Sequence, residues 1–264
     1  MHDLGLACML ALETPVTLDL FALRRGVAQV APRSSLQIER RRTPPGESAL
    51  FVEFDGQPFI VYATADRLPE AEYTEAVAGN LFWPEAGDAM ARHTGTVTIV
   101  GALRERAHGM VRAQAIALTR LSAAVAAATP TAGVHWVGTK AMASPGRLRR
   151  AASELTDHLW PVDLWLGYVF FGTDRPGEQM VIGVQTVGAH DFLGYEIEVP
   201  PFPVVEKIEP IRILFGAVGY LLSHGGGIGD GRLVEVKGER LSRWALHMGA
   251  EDRPGLAQMT VVES

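Results

Sequence analysis

Cysteine is almost missing from this sequence: Cys8 stands alone among 264 residues. That excludes an internal disulfide and a metal cluster built on cysteines. Its setting, the apolar run LGLACMLAL, is that of a buried small hydrophobe. Lysine is scarce too, with only Lys140, Lys207 and Lys237, so arginine is the general-purpose cation. The amino-terminal apolar run Leu4–Leu12 has nine residues, follows Asp3 and has no Lys or Arg before it. It falls well short of the ~20 residues of a membrane span and lacks the basic start of a secretory leader. Cytoplasmic residence is therefore the expectation. Excess positive charge is also lacking. A net charge of −6 argues against nucleic-acid or membrane-surface binding, because phosphate contact needs a positive footprint.

What is present points to a packed globular chain, 47% apolar and 20% charged. Apolar runs of strand length alternate with helical patterns. LDLFALRRGVAQV (18–30) places Leu20, Leu23, Val27 and Val30 on one helical face, with Thr17 as the expected N-cap. ALFVEF and PFIVYAT flank a short turn, a hairpin signal. The alanine-rich stretch 109–128 is a long predicted helix. SPGRLRRAASEL (144–155) reads as Ser N-cap, Pro at the first helical position, then helix. A helix over 204–224 carries Pro210 early, and three strands close the chain near 233–237, 243–247 and 257–262.

The two halves rhyme in order: strand, helix, hairpin, helix, strand. That order is the split βαβ, ferredoxin-like pattern. The expected fold is α+β, with two tandem ferredoxin-like lobes and mostly antiparallel sheets. The expected division is 1–105 and 106–264, the helix 109–128 opening the second lobe, or else one integrated domain.

HGGGIGDGR (224–232) suggests a phosphate loop or an esterase oxyanion loop. A phosphate loop needs a strand before it and a helix after it, so that free N–H groups face the anion. Here the helical pattern comes first and the strand pattern second. Arg232 and Leu233 also stand where Lys and Ser or Thr belong. The esterase reading lacks a Gly-x-Ser-x-Gly elbow. The stretch reads as a helix end and a turn, with His224 complementing the helix dipole.

Other candidates are scattered. The eight histidines include none within four residues of another, so a local zinc motif is absent. Glu196 and Glu198 in GYEIEV lie on one strand face, roughly 7 Å apart by strand geometry. They are paired carboxylates fit for acid–base work, or water-facing residues with Tyr195, Ile197 and Val199 turned to the core. In GVHWVGTK, His135, Val137 and Thr139 share one strand face and Val134, Trp136 and Gly138 the other, with Lys140 at the end. They line a pocket, or His135 is a hydrogen-bonded structural residue. NLFWPEA puts Phe82 and Trp83 before Pro84, as an aromatic anchor for a partner or a helix end packed on the core. Six arginines between Arg24 and Arg42 form solvated faces or a grip on an acidic partner.

ACMLALETPVTLD, RHTGTVTIVGAL, TPTAGVHWVGT, PVDLWLGYVFFG, LGYEIEVPPFP and GAVGYLLSHGGGIGDGRLV together resemble the bacterial family called "domain of unknown function 4261". The similarity covers nearly the whole chain in order. The family's Asp-Gly-Asp-Thr-like turn is replaced here by GDGRLVEV. The resemblance implies a bacterial, soluble, single-unit protein and supplies no catalytic residues; families of this type often occur as accessory or immunity genes near secretion and toxin loci, which is association rather than chemistry.

The expectation is a non-enzymatic module, monomer or homodimer, without cofactor or metal. It binds another protein such as a toxin or effector, and binds neither nucleic acid nor membrane. His135, Trp136, Lys140, Tyr195, Glu196, Glu198 and Trp83 are the expected binding residues. The alternative is a small-molecule enzyme or sensor in which His135, Lys140, Glu196 and Glu198 converge between lobes. A third reading is a structural subunit with a large apolar patch.

Overall fold

The computed structural model describes residues 6–40, 48–102, 108–156, 159–173, 179–206, 208–224, 232–237, 241–248 and 255–263. The chain is α+β and divides into two compact units, Met1–Leu155 and Thr156–Ser264. The division falls after Leu155 rather than near 105, so the long alanine-rich helix lies with the first unit.

The first unit runs β1 (Ala7–Leu12), α1 (Leu20–Val30), β2 (Leu36–Arg40), β3 (Ser48–Phe54), β4 (Gln57–Thr64), α2 (Glu70–Gly79), α3 (Ala86–Arg92), β5 (Gly95–Gly101), α4 (His108–Ala128), β6 (Thr131–Trp136), β7 (Ala141–Ala143) and α5 (Pro145–Glu154). Its seven strands form one antiparallel sheet in the order β2-β3-β4-β5-β1-β6-β7. The crossover β5–α4–β6 returns to the sheet one strand away, with β1 between. The β3–β4 turn is Asp55-Gly56, with φ of 51° and 72°. Two left-handed residues match the twist of a two-residue hairpin, which is why Asp-Gly sits there.

Strand alternation splits this sheet into two faces. On β1, Cys8 meets Ser122 of α4, and Leu10 and Leu12 are fully buried. Met9 and Ala11 point the other way, opposite His135 and Gly133 of β6, toward Trp83 and Met90 of the α2–α3 corner. Helix α1 starts at Asp19, whose carboxylate accepts from Phe21 N at 2.9 Å. The cap is thus Asp19, not Thr17; the aspartate stands at the residue where the helix actually begins. Helix α5 starts as its sequence dictates: Ser144 Oγ accepts from Arg147 N at 3.2 Å and Pro145 takes the first position.

The second unit runs α6 (Val162–Trp165), β8 (Gly167–Thr173), β9 (Val181–Val187), α7 (Ala189–Leu193), β10 (Glu196–Pro203), α8 (Ile208–Ser223), β11 (Arg232–Lys237), β12 (Leu241–Met248) and β13 (Leu256–Glu263). The strand order is β11-β12-β13-β10-β9-β8, antiparallel except for the parallel pair β10–β13. This order differs from that of the first sheet, so the rhyme of elements along the chain does not carry into a matching strand order. Helix α8 buries Ile211, Leu214, Val218 and Leu221. Pro210 lies in its first turn, where a missing N–H loses no helical bond. The helix ends at Ser223 and β11 begins at Arg232. Helix precedes and strand follows; Gly225–Gly231 of the glycine-rich stretch lie outside the described residues. His224 Nδ1 bonds the Tyr220 carbonyl oxygen at 2.8 Å, donating to the helix end.

Candidate functional site

The α2–α3 corner begins where α2 runs out. Asn80 caps it, its N–H bonded to Val77 O at 3.2 Å. The Asn80 side chain then folds forward over the next residues. Its Oδ1 accepts from Phe82 N at 2.9 Å and from Trp83 N at 3.0 Å, and its Nδ2 donates to Met142 O at 2.9 Å. Asparagine suits this place because one amide both accepts from a turn and donates elsewhere.

The corner divides its apolar side chains by direction. Trp83 packs against the cluster of Ala11, Leu68, Tyr73, Ala76, Met90 and Met142. Its indole lies 3.0 Å from where a Cβ on Gly133 would stand, so the glycine lets the ring lie close on β6. Leu81 and Phe82 remain 40% and 47% exposed. Trp83 therefore packs inward, and the exposed aromatic is its neighbour Phe82.

His93 closes the base of the corner. Its Nε2 accepts from Leu68 N at 2.7 Å, its Nδ1 bonds Met90 O, and its ring meets Tyr73 edge-on at 5.9 Å. This histidine fits the structural role expected of His135. His135 is buried, but its Nδ1 has no hydrogen-bond partner. Burial pulls its pKa down to about 4, because a charged ring there would lose its water. Trp136, on the opposite face, also buries an indole N–H without an acceptor.

The remaining sequence candidates each have local surroundings. Strand β6 ends at Trp136, and Lys140 sits in the turn that follows with φ of 60°. Its exposed ammonium pairs with Glu75, whose carboxyl is held below the usual range by that bond. Tyr195 is buried. The Glu196 carboxylate accepts from Thr186 Oγ1, Gly188 N at 2.9 Å, Ala189 N at 3.1 Å and His190 N at 3.3 Å. Glu198 is buried rather than water-facing, and accepts from Gln258 Nε2 at 2.8 Å. The two carboxylates thus serve different partners.

A groove of about 270 Å³ on the first sheet is lined by Gln37, Glu39, Phe51 and Glu53 among others, and by none of the residues singled out from sequence. Among the described residues no three His, Cys, Asp or Glu side chains gather as a metal site, and no helix is long and apolar enough to cross a membrane. Cys8 is fully buried, and desolvation pushes its thiol up to about 12, outweighing the smaller opposite effect of neighbouring Ser122. At neutral pH it is not a nucleophile.

These features define the class: an α+β protein of two sheet-based units, with a clamped apolar corner on the first. No family model, curated protein or solved structure matches the chain.

Proposed function

We propose that this chain is a non-enzymatic protein-binding module whose contact point is the Leu81–Phe82 corner. The observation that carries the reading is the Asn80 clamp: two large apolar side chains are exposed on backbone fixed by three side-chain bonds. A preorganised anchor loses little freedom on binding, so more of its burial appears as affinity. Full burial of a phenylalanine or leucine from full exposure contributes about 1.5–3 kcal/mol, and Leu81 and Phe82, already more than half covered, have roughly half of that left to gain on a partner. The net charge of −6 suits a partner of basic surface with an apolar pocket.

The resemblance to the "domain of unknown function 4261" family supports the finer version, a bacterial cytoplasmic immunity or accessory protein acting on a toxin or effector. The strand order β6-β1-β5-β4, with crossovers through α1 and α4, supports reading the first unit as a ferredoxin-like lobe extended by β2, β3 and β7. The small-molecule alternative loses support because Lys140, Glu196 and Glu198 each hold a partner close by in their own unit.

The test is stoichiometric co-purification from the native host with the wild type, Phe82→Asp and Phe21→Asp. Phe21 is 79% exposed on α1 and controls for general surface stickiness. A partner held at one-to-one ratio, retained by Phe21→Asp and lost or weakened at least about 30-fold by Phe82→Asp, is the expected result. Equal retention by both variants, or no stoichiometric partner, overturns the reading.

A further inference from the structure

We propose that His135, Met9 and Met142 form a binding site for a soft monovalent metal ion, copper(I) or its redox-inert analogue silver(I). In the β1–β6 pairing Met9 stands directly opposite His135, and in the β6–β7 pairing Met142 stands directly opposite it on the other side. Directly opposed residues project to the same sheet face, with Cβ atoms about 4.5–5.5 Å apart. A methionine sulfur lies two bonds beyond its Cβ, so each side chain is long enough for its thioether to reach the imidazole between them. A third sulfur is close. Met90 Sδ lies 3.1 Å from where a Cβ on Gly133 would stand, and Gly133 shares the His135 face of β6. Met90 and Met142 belong to one apolar cluster, with Met9 packed against it.

The contrast with His93 gives the independent observation. His93, fully buried in the same unit, has both ring nitrogens bonded to backbone groups. His135, only 6% exposed, leaves Nδ1 with nothing. Burying a nitrogen with no partner in the protein is costly, and a bound ion is one kind of group that satisfies it. The surroundings choose the ion. Thioether and imidazole are soft to intermediate donors and select copper(I), whereas zinc, magnesium and calcium need thiolate, carboxylate or several histidines. Among the described residues no such set gathers here. Met9 is only partly buried and gives the ion a way in.

The test is anaerobic copper(I) titration against a chromogenic chelator, repeated with silver(I) by native mass spectrometry. It uses the full chain carrying Cys8→Ala and His2→Ala, which removes the thiol and the amino-terminal histidine as competing donors. One ion per chain is expected. Met9→Leu and Met142→Leu preserve volume and fold and each weaken binding at least 10-fold; His135→Leu abolishes it. X-ray absorption should show nitrogen and sulfur in the copper shell. No binding in this background, binding unchanged in both leucine variants, or a copper shell without sulfur overturns the site.

Discussion

The side-chain amide of Asn80 reaches Met142, donating to its main-chain oxygen at 2.9 Å across 62 residues of sequence. One bond ties the end of α2 to edge strand β7, while the same amide's oxygen shapes the corner that exposes Phe82. Asn80→Ala removes three part-buried or exposed bonds, each worth about 0.5–1.5 kcal/mol net. A stability loss of about 2–3 kcal/mol is expected by urea denaturation. Asn80→Asp keeps the acceptor and loses only the donor to Met142, so a loss of about 1 kcal/mol is expected. Equal losses in the two variants would show that the turn-shaping bonds contribute nothing.

His135 makes stability depend on acid. In the folded chain it takes a proton only near pH 4, against an unperturbed value of 6.5. Between those values the unfolded chain holds more protons, so falling pH favours unfolding. The contribution is whole above pH 6.5 and is lost as pH drops toward 4, reaching on the order of 3 kcal/mol. Its cross-strand neighbours Met9 and Met142 carry no charge to offset this. Denaturation of the wild type and His135→Leu at pH 7.5, 6 and 5 checks it. The gap between the two proteins should move in favour of the variant as pH falls; a constant gap refutes the burial argument.

Local chemistry was legible in the sequence, and long-range pairing was not. Ser144-Pro145 and Asp55-Gly56 fix a helix start and a hairpin turn through their own side chains and dihedral preferences. The strand orders rest on registers between distant segments, which is why a rhyme of elements suggested two like lobes and the sheets differ. The burial of Glu198 depends on Gln258, sixty residues on, so an alternating strand pattern alone put it in water. The strand pattern over 133–140 missed the turn at Lys140 because nothing local marks a lysine for positive φ. At the α2–α3 corner, NLFWPEA offered either an exposed aromatic or a helix end packed on the core, and the structure holds both, Phe82 exposed and Trp83 packed inward. Which ring packs inward rests on distant partners, Gly133 on β6 and the cluster of Ala11, Met90 and Met142, and could not be read from NLFWPEA.

Gly26 sets two effects of opposite sign against each other. It lies inside α1, where alanine is ordinarily the better residue by about 1 kcal/mol. A Cβ at this position would stand 2.2 Å from the carbonyl oxygen of Ala124 in α4. That neighbour is backbone, in a stretch where Leu121, Ala123 and Ala124 are fully buried, so no side chain can swing aside. The helices must separate, and overpacking of this kind costs about 1–3 kcal/mol or more. The clash should win: Gly26→Ala is expected to destabilise the protein by about 2 kcal/mol in urea, and Gly26→Val by more. If Gly26→Ala instead raised stability, α1 would have to slide on α4 without loss, and the close approach of these two helices would not be what holds α1 against the first sheet's covering layer.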